Sequence, residues 1–185
     1  MSKQRIIILE GTERVGKTEI AKALSASLDI PIFKAQVQKK FFMSDRSQFL
    51  PFLRFGETTL ADFLEQTDTS VILDRNFPSE IVYSKHFGRP TDPDVVAQLD
   101  EAYARMNALI VVCTRLQGYV GRVDEDDITI KEDQITAIDT LYKQCAPRLK
   151  TRHIFLDTSD EDLDRELREI EFAVEEGLSD RKENI

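Results

Sequence analysis

An α/β fold built on a parallel sheet is the architecture this amino-acid sequence predicts, and three observations predict it. Short, unalternating apolar runs recur along the chain, rich in β-branched residues, as strands buried on both faces require. Stretches with apolar residues at helical spacing separate them. A glycine-bearing turn of fixed spacing follows the first run, where a strand hands over to a helix. Buried strands alternating with amphipathic helices form parallel layers, so five parallel strands flanked by helices are expected.

The first run is Arg5-Ile6-Ile7-Ile8-Leu9, ending at Gly11. Ile20, Ala23, Leu24 and Leu28 then share a helical face, and Ile30-Pro31-Ile32-Phe33 reads as a weaker strand. The stretch from Gln36 to Gly56, rich in Phe, Lys and Arg, fits no template; Leu60, Phe63 and Leu64 predict a short helix. Ser70-Val71-Ile72-Leu73-Asp74 is a strand capped by a charge. Ser79 to Phe87 predicts a helix stopped by Gly88, a favoured left-handed terminator. Asp92-Pro93 starts the next helix, with Asp as cap and Pro in the first turn. Val95, Val96, Leu99, Ala102, Tyr103 and Met106 follow at helical spacing, and Leu109-Ile110-Val111-Val112-Cys113 is a fourth strand. Gly118 to Asp127 holds glycines and acids with little apolar content and reads as a mobile loop. Ile135, Ile138, Leu141, Tyr142 and Cys145 give another helix face, and His153-Ile154-Phe155-Leu156 the fifth strand. Thr158 with Glu161 resembles a capping box ahead of Leu163, Leu167, Ile170 and Val174, a stripe ended by Gly177. One domain over 1–178 is expected, with a frayed tail over 179–185.

Size and charge bound the function. The chain has 185 residues, 41% hydrophobic and 32% charged, enough for one core without staples. No apolar run approaches a membrane span, and Met-Ser-Lys-Gln-Arg opens no signal peptide, so a cytoplasmic protein is expected. Two cysteines, Cys113 and Cys145, read as reduced thiols. The balance of 34 acidic against 25 basic residues, net −9, disfavours broad binding to nucleic acid and leaves room for a local cationic pocket.

That pocket has a motif. Gly11-Thr12-Glu13-Arg14-Val15-Gly16-Lys17-Thr18 matches the phosphate-loop pattern G-x-x-x-x-G-K-[ST]. The glycines allow backbone conformations that turn successive N–H groups inward, and the helix that follows adds its positive end. Lys17 is placed to reach the β- and γ-phosphates, and the Thr18 hydroxyl to ligate Mg²⁺. Asp74, after Val71-Ile72-Leu73, repeats the strand-then-Asp arrangement that holds Mg²⁺ in such proteins. Arg75 beside it offers a group for a second phosphate. No Asn-Lys-x-Asp guanine-reading motif and no Leu-Ser-Gly-Gly-Gln signature occurs, and the chain is small for a motor. A small kinase using Mg·ATP is what remains.

Glu10-Gly11-Thr12-Glu13-Arg14-Val15-Gly16-Lys17-Thr18 resembles the loop of the thymidylate kinase family in the subgroup with an arginine inside the loop, and Asp74-Arg75 resembles that family's D-R motif. Ser79 and Tyr83 keep the family's spacing from the Asp. The resemblance implies the phosphate-loop kinase fold and assigns roles. Arg14 lies along the γ-phosphate and supplies transition-state charge, a contribution of roughly 10³–10⁵ in rate. Glu13 meets the acceptor's sugar and phosphate, Arg75 grips that phosphate, and Tyr83 packs near the sugar. The segment near 116–131 acts as a lid, with Arg122 its best candidate for closure.

The chain also departs from the family. Glu13 replaces Asp, Glu80 and Ser84 replace residues that shape the acceptor pocket, and Lys34 to Lys40 carries neither usual acceptor motif. Arg54, near Phe49 and Phe52, is a candidate for reading a pyrimidine. His86 and His153 lack metal-ligand spacing, and the acid run 124–127 reads as solvated. The expected activity is transfer of the ATP γ-phosphate to a deoxypyrimidine monophosphate. A nucleoside acceptor, a hydroxymethylated pyrimidine within DNA and a non-catalytic nucleotide-binding switch stay open. DNA as acceptor is not favoured by the net charge. No membrane partner is expected, and a homodimer is left open.

Overall fold

The computed structural model describes residues 4–34, 46–115 and 132–183. The expected lid with Arg122 and the acid run 124–127, and the segment 35–45, lie outside the described residues, as do the side chains of Phe49 and Phe52. Five strands form one parallel sheet: β1 (Ile6–Gly11), β2 (Ile32–Lys34), β3 (Val71–Asp74), β4 (Leu109–Thr114) and β5 (Arg152–Asp157). Their spatial order is β2-β3-β1-β4-β5. The described helices are α1 (Lys17–Leu28), α2 (Arg46–Thr67), α3 (Phe77–His86), α4 (Pro93–Arg105), α5 (Glu132–Cys145) and α6 (Leu163–Glu183).

The period-two alternation of a strand splits the core into two layers. From β1, Ile6 and Ile8 join Ala61 and Leu64 of α2, Phe77 and Val82 of α3, Leu99 and Tyr103 of α4 and Ile138 of α5. Ile7 and Leu9 face the other way, onto Ile20, Ala21 and Leu24 of α1 and Ile170 and Val174 of α6. Both layers need apolar residues at every strand position, which is why β1 and β4 do not alternate. Each fully buried Ile or Leu contributes roughly 1.5–3 kcal/mol. β2 is one of the two edge strands, and its Ile32 and Phe33 stay exposed.

Helix boundaries follow the expected signals at Asp92 and Gly88, and a third is set by a residue the sequence did not flag. The Asp92 carboxylate accepts the Val95 N–H at 3.2 Å and caps α4. Gly88, at φ +61°, follows α3. α1 ends at Asp29, also left-handed, whose N–H donates to Ser25 O.

Three expectations are corrected. The short helix around Leu60 is a 22-residue helix that carries Pro51 inside it and runs through Gly56. Both residues are helix breakers by propensity, but the anchoring of Ala61 and Leu64 in the core outweighs them. Thr158 does not build a capping box: its hydroxyl and N–H both donate to Thr114 O, tying β5 to β4. Asp162 caps α6 instead, accepting the Arg165 N–H at 3.0 Å. Finally, α6 does not stop at Gly177; it continues to Glu183. Gly177 is there for space, since a Cβ would overlap the Arg152 guanidinium and press on the Asn107 amide. Asn107 donates to the Gly177 carbonyl.

Candidate active site

The carboxyl ends of β1 and β3 lie side by side, with Leu9 paired to Asp74. In an open parallel sheet this end is where ligands bind. β1 runs directly into the phosphate-loop sequence. Gly11, at φ +126°, is obligatory: a Cβ there would sit 2.3 Å from the Cys113 carbonyl oxygen of β4. Arg14 is left-handed at φ 65°, and Gly16 at φ 79° ends the turn facing open space. The Lys17 ammonium folds back onto the Thr12 carbonyl inside the loop. Burial is the largest influence on it and lowers its pKa to about 8; Arg75 adds repulsion, against weaker support from Cys113, Glu13 and Asp74. A buried cation with this little support, at the N-terminus of a helix and beside an open glycine turn, fits the oxyanions of a nucleoside triphosphate.

Thr18 is exposed on the first turn of α1. Asp74 is nearly buried at the tip of β3, and Lys34 of β2 approaches it at 3.2 Å. No group of three His, Cys, Asp or Glu forms a metal cage among the described residues. A hydroxyl and one carboxylate, with waters and phosphate oxygens completing the shell, suit Mg²⁺.

Arg75 is the centre of the second half of the site. It is left-handed at φ 69°, a strained position for a non-glycine residue. Its N–H donates to Leu9 O at 3.0 Å. Its guanidinium donates to Gly11 O at 2.8 Å and to the Ser79 and Tyr142 hydroxyls, each at 3.3 Å. It also lies 5.2 Å from the centre of the Tyr83 ring and 4.0 Å from Glu13. Burial opposes its charge, but Tyr83, Tyr142, Glu13 and Glu10 outweigh that and raise its pKa.

Glu10 is fully buried beneath it and accepts three hydrogen bonds: from the Asn76 N–H (2.8 Å), the Ser79 hydroxyl (2.6 Å) and the Tyr142 hydroxyl (2.9 Å). Burial raises its pKa against Arg75 and these donors. Tyr83 donates to Glu13 at 3.1 Å. Glu10, Glu13, Lys17, Asp74, Arg75, Ser79 and Tyr83 therefore meet in one place.

Arg54 is exposed on α2 and lies 3.9 Å from Asp92, at the start of α4. Arg115 pairs with Glu161 at 2.6 Å. Cys113 packs behind the loop, its thiol pushed up to about 12 by burial, and Cys145 is likewise free. Two members of the site were not marked by sequence reasoning. Lys34 opens a stretch, Lys34 to Lys40, that carries no acceptor motif, and Tyr142 belongs to an apolar helical stripe. A polar-tipped aromatic on an otherwise apolar face is the signal that could have marked Tyr142.

A family model described as an AAA domain matches residues 6–162. A comparison with curated proteins matches none. Among solved structures, YorR from Bacillus subtilis, in complex with phosphorylated GDP, superposes with a TM-score of 0.67 at 23% identity, over 92% of this chain and 95% of that one. Thymidylate kinase from Candida albicans gives 0.65 at 19% identity, over 95% and 93%. Deoxyadenosine kinase from M. mycoides gives 0.60 at 15% identity, over 92% and 98%. These likenesses bear out the expected phosphate-loop kinase fold and the thymidylate kinase-like resemblance at the level of fold. With most of its length matched, the chain belongs to the AAA domain family.

Proposed function

We propose that the protein transfers the γ-phosphate of Mg·ATP to a deoxypyrimidine monophosphate. One observation carries the reading: the Arg75 guanidinium donates to Gly11 O at 2.8 Å, at the first residue of the phosphate loop inside which the Lys17 ammonium folds onto Thr12 O. Two cations gathered on one loop suit a pair of phosphates that must approach.

Each residue's part follows. Lys17 and the inward loop amides hold the donor's β- and γ-phosphates. Arg75, aimed by Gly11 O, Ser79 and Tyr142, takes the acceptor phosphate. Arg14 answers charge that grows on the transferring group. Thr18 and Asp74 would hold Mg²⁺, which supplies charge neutralisation between donor oxygens. The acceptor phosphate oxygen is itself the nucleophile, so no strong base is needed and catalysis is positioning plus electrostatics. The Tyr83–Glu13 hydrogen bond sets a wall for the sugar.

A second reading is favoured by the same Glu13. A buried carboxylate beside Arg75 and Tyr83 is placed to take a proton from a hydroxyl, as a nucleoside or hydroxymethyl-base acceptor needs. Incubation with labelled ATP and each acceptor class separates the two. Label on a free deoxypyrimidine monophosphate is expected; label only on nucleosides or only on polymer overturns the monophosphate reading.

A further inference from the structure

Beside the phosphate-binding centre, three buried polar atoms have no hydrogen-bond partner among the described residues. They are Glu57 Oε2 on α2, Asn76 Oδ1 between β3 and α3, and Tyr103 Oη on α4. Their elements pack together: Phe77, next to Asn76, and Tyr103 share one core cluster with Leu60, Ala61 and Leu64 of α2. Asn76 is tied to the site by its N–H, which donates to Glu10. The Tyr103 ring is fully buried and stacked on Phe77, with centroids 5.7 Å apart, so its hydroxyl direction is fixed. An unpaired buried polar group is destabilising. Packing alone would be served better by an apolar residue at 57, so three such groups on three elements packed round one core point to recognition.

The Glu57 carboxyl is repelled by the carboxylates of Glu10 on β1 and Glu80 on α3, and its charge also bears on Tyr103 of α4. Burial first, then the two neighbouring carboxylates, push its pKa up to about 8, so it stays protonated near neutrality. A protonated carboxyl presents one O–H donor beside one carbonyl acceptor. That pair complements an edge where a donor and an acceptor are adjacent, as at N3 and the exocyclic group of a pyrimidine. We propose that Glu57, flanked by Asn76 and Tyr103, reads the donor–acceptor edge of the acceptor's pyrimidine ring and sets the specificity of the acceptor site. This rests on the acceptor reading above for the pyrimidine, and holds whether or not that pyrimidine carries a phosphate.

The test uses Glu57→Gln, which keeps a donor and an acceptor at every pH, and Glu57→Leu, which removes both. Acceptor KM and kcat are measured with thymidine monophosphate and its N3-methyl derivative at saturating Mg·ATP, from about pH 6 to about pH 9, with thermal midpoints alongside. The wild type should reject the N3-methyl compound by about tenfold or more in kcat/KM. Its KM for thymidine monophosphate should rise as pH passes about 8, where the acid ionises. Glu57→Gln should keep the rejection and lose the pH dependence. Glu57→Leu should raise the acceptor KM about tenfold, leave the KM for ATP unchanged and raise the thermal midpoint.

A Glu57→Leu variant with undiminished rejection, or with an unchanged KM and a lowered midpoint, overturns the proposal. If the wild type phosphorylates a nucleoside or a hydroxymethylated oligonucleotide instead, the monophosphate reading fails. The same N3-methyl comparison on that acceptor then decides the role of Glu57. A wild type that phosphorylates only purines, or nothing, overturns both.

Discussion

Lys17 holds its charge against its surroundings. Burial and Arg75 lower its pKa to about 8, from an ordinary value of 10.5. A group whose folded pKa is depressed in this way binds its proton less tightly than the unfolded chain does. The resulting penalty is present below pH 8 and fades as pH rises towards 10.5. Lys17→Met is therefore expected to abolish phosphoryl transfer and raise the thermal midpoint of the ligand-free protein. Turnover and unfolding measured on the same sample check this, and near-normal turnover would remove Lys17 from the donor site. In the proposed reading Arg75 is the acceptor-side counterpart. Arg75→Ala should raise the KM for a monophosphate by about 100-fold or more, since breaking one side of a buried charge arrangement typically costs ~3–5 kcal/mol. The KM for ATP should stay nearly unchanged, and equal loss of both affinities would place Arg75 on the donor instead. Lys17, Asp74, Arg75 and Tyr83 were all legible, because their spacing to Gly11 or to each other is local. Tyr142 was not. Its partner Glu10 is 132 residues away, and helical periodicity reports burial but not what a hydroxyl touches.

At the level of elements, backbone approach decides two further outcomes. Gly11 joins β1 to the loop while the Cys113 carbonyl of β4 passes against it. Gly11→Ala should destabilise the fold by about 3 kcal/mol or more, through overlap with rigid backbone and a left-handed φ. Denaturant unfolding reads this directly, and a loss below ~1 kcal/mol would mean the loop relaxes freely. Asp92 works by a gentler route. Asp92→Ala removes the cap of α4 and should cost about 1 kcal/mol, seen as a lower midpoint with turnover little changed. The Asp92 cap was readable because it is written in three consecutive positions. The 22-residue span of α2 and the passage of α6 through Gly177 were not. Propensity penalises Pro51, Gly56 and Gly177 by local rules. The core contacts of Leu64 and the crowding of Arg152 and Asn107 at Gly177 come from other parts of the chain.

Across the whole molecule, buried acids shape the response to pH. Glu10 and Glu57 both have raised folded pKa values, Glu57 at about 8 against an ordinary 4.5. The native state then binds more protons than the unfolded state, so stability falls as pH rises through the window from 4.5 to about 8. The ligand-free protein should be more stable at mildly acidic pH than at pH 8. Glu57→Gln should flatten that decline, by on the order of a few kcal/mol across the window. Unfolding midpoints across pH for the two proteins check it; parallel profiles would mean that Glu57 ionises freely in the fold. The net charge of −9 adds to this, and it makes the cluster of Lys17 and Arg75 a local exception on an acidic protein.

The sequence by itself determined the sheet, the phosphate loop and the pairing of Asp74 with Arg75. Each of these is encoded by neighbours: a run of β-branched residues, glycines at fixed spacing, a charge at a strand end. Only the tertiary structure decided which side chains gather at the proposed acceptor site. Glu10 reaches Tyr142 and Lys34 reaches Asp74 only after the crossovers bring α5 and β2 over one end of the sheet. A donor site assembled from one strand–loop–helix unit is local in sequence. An acceptor site assembled from several helices is not, because long-range packing sets where each of its side chains points.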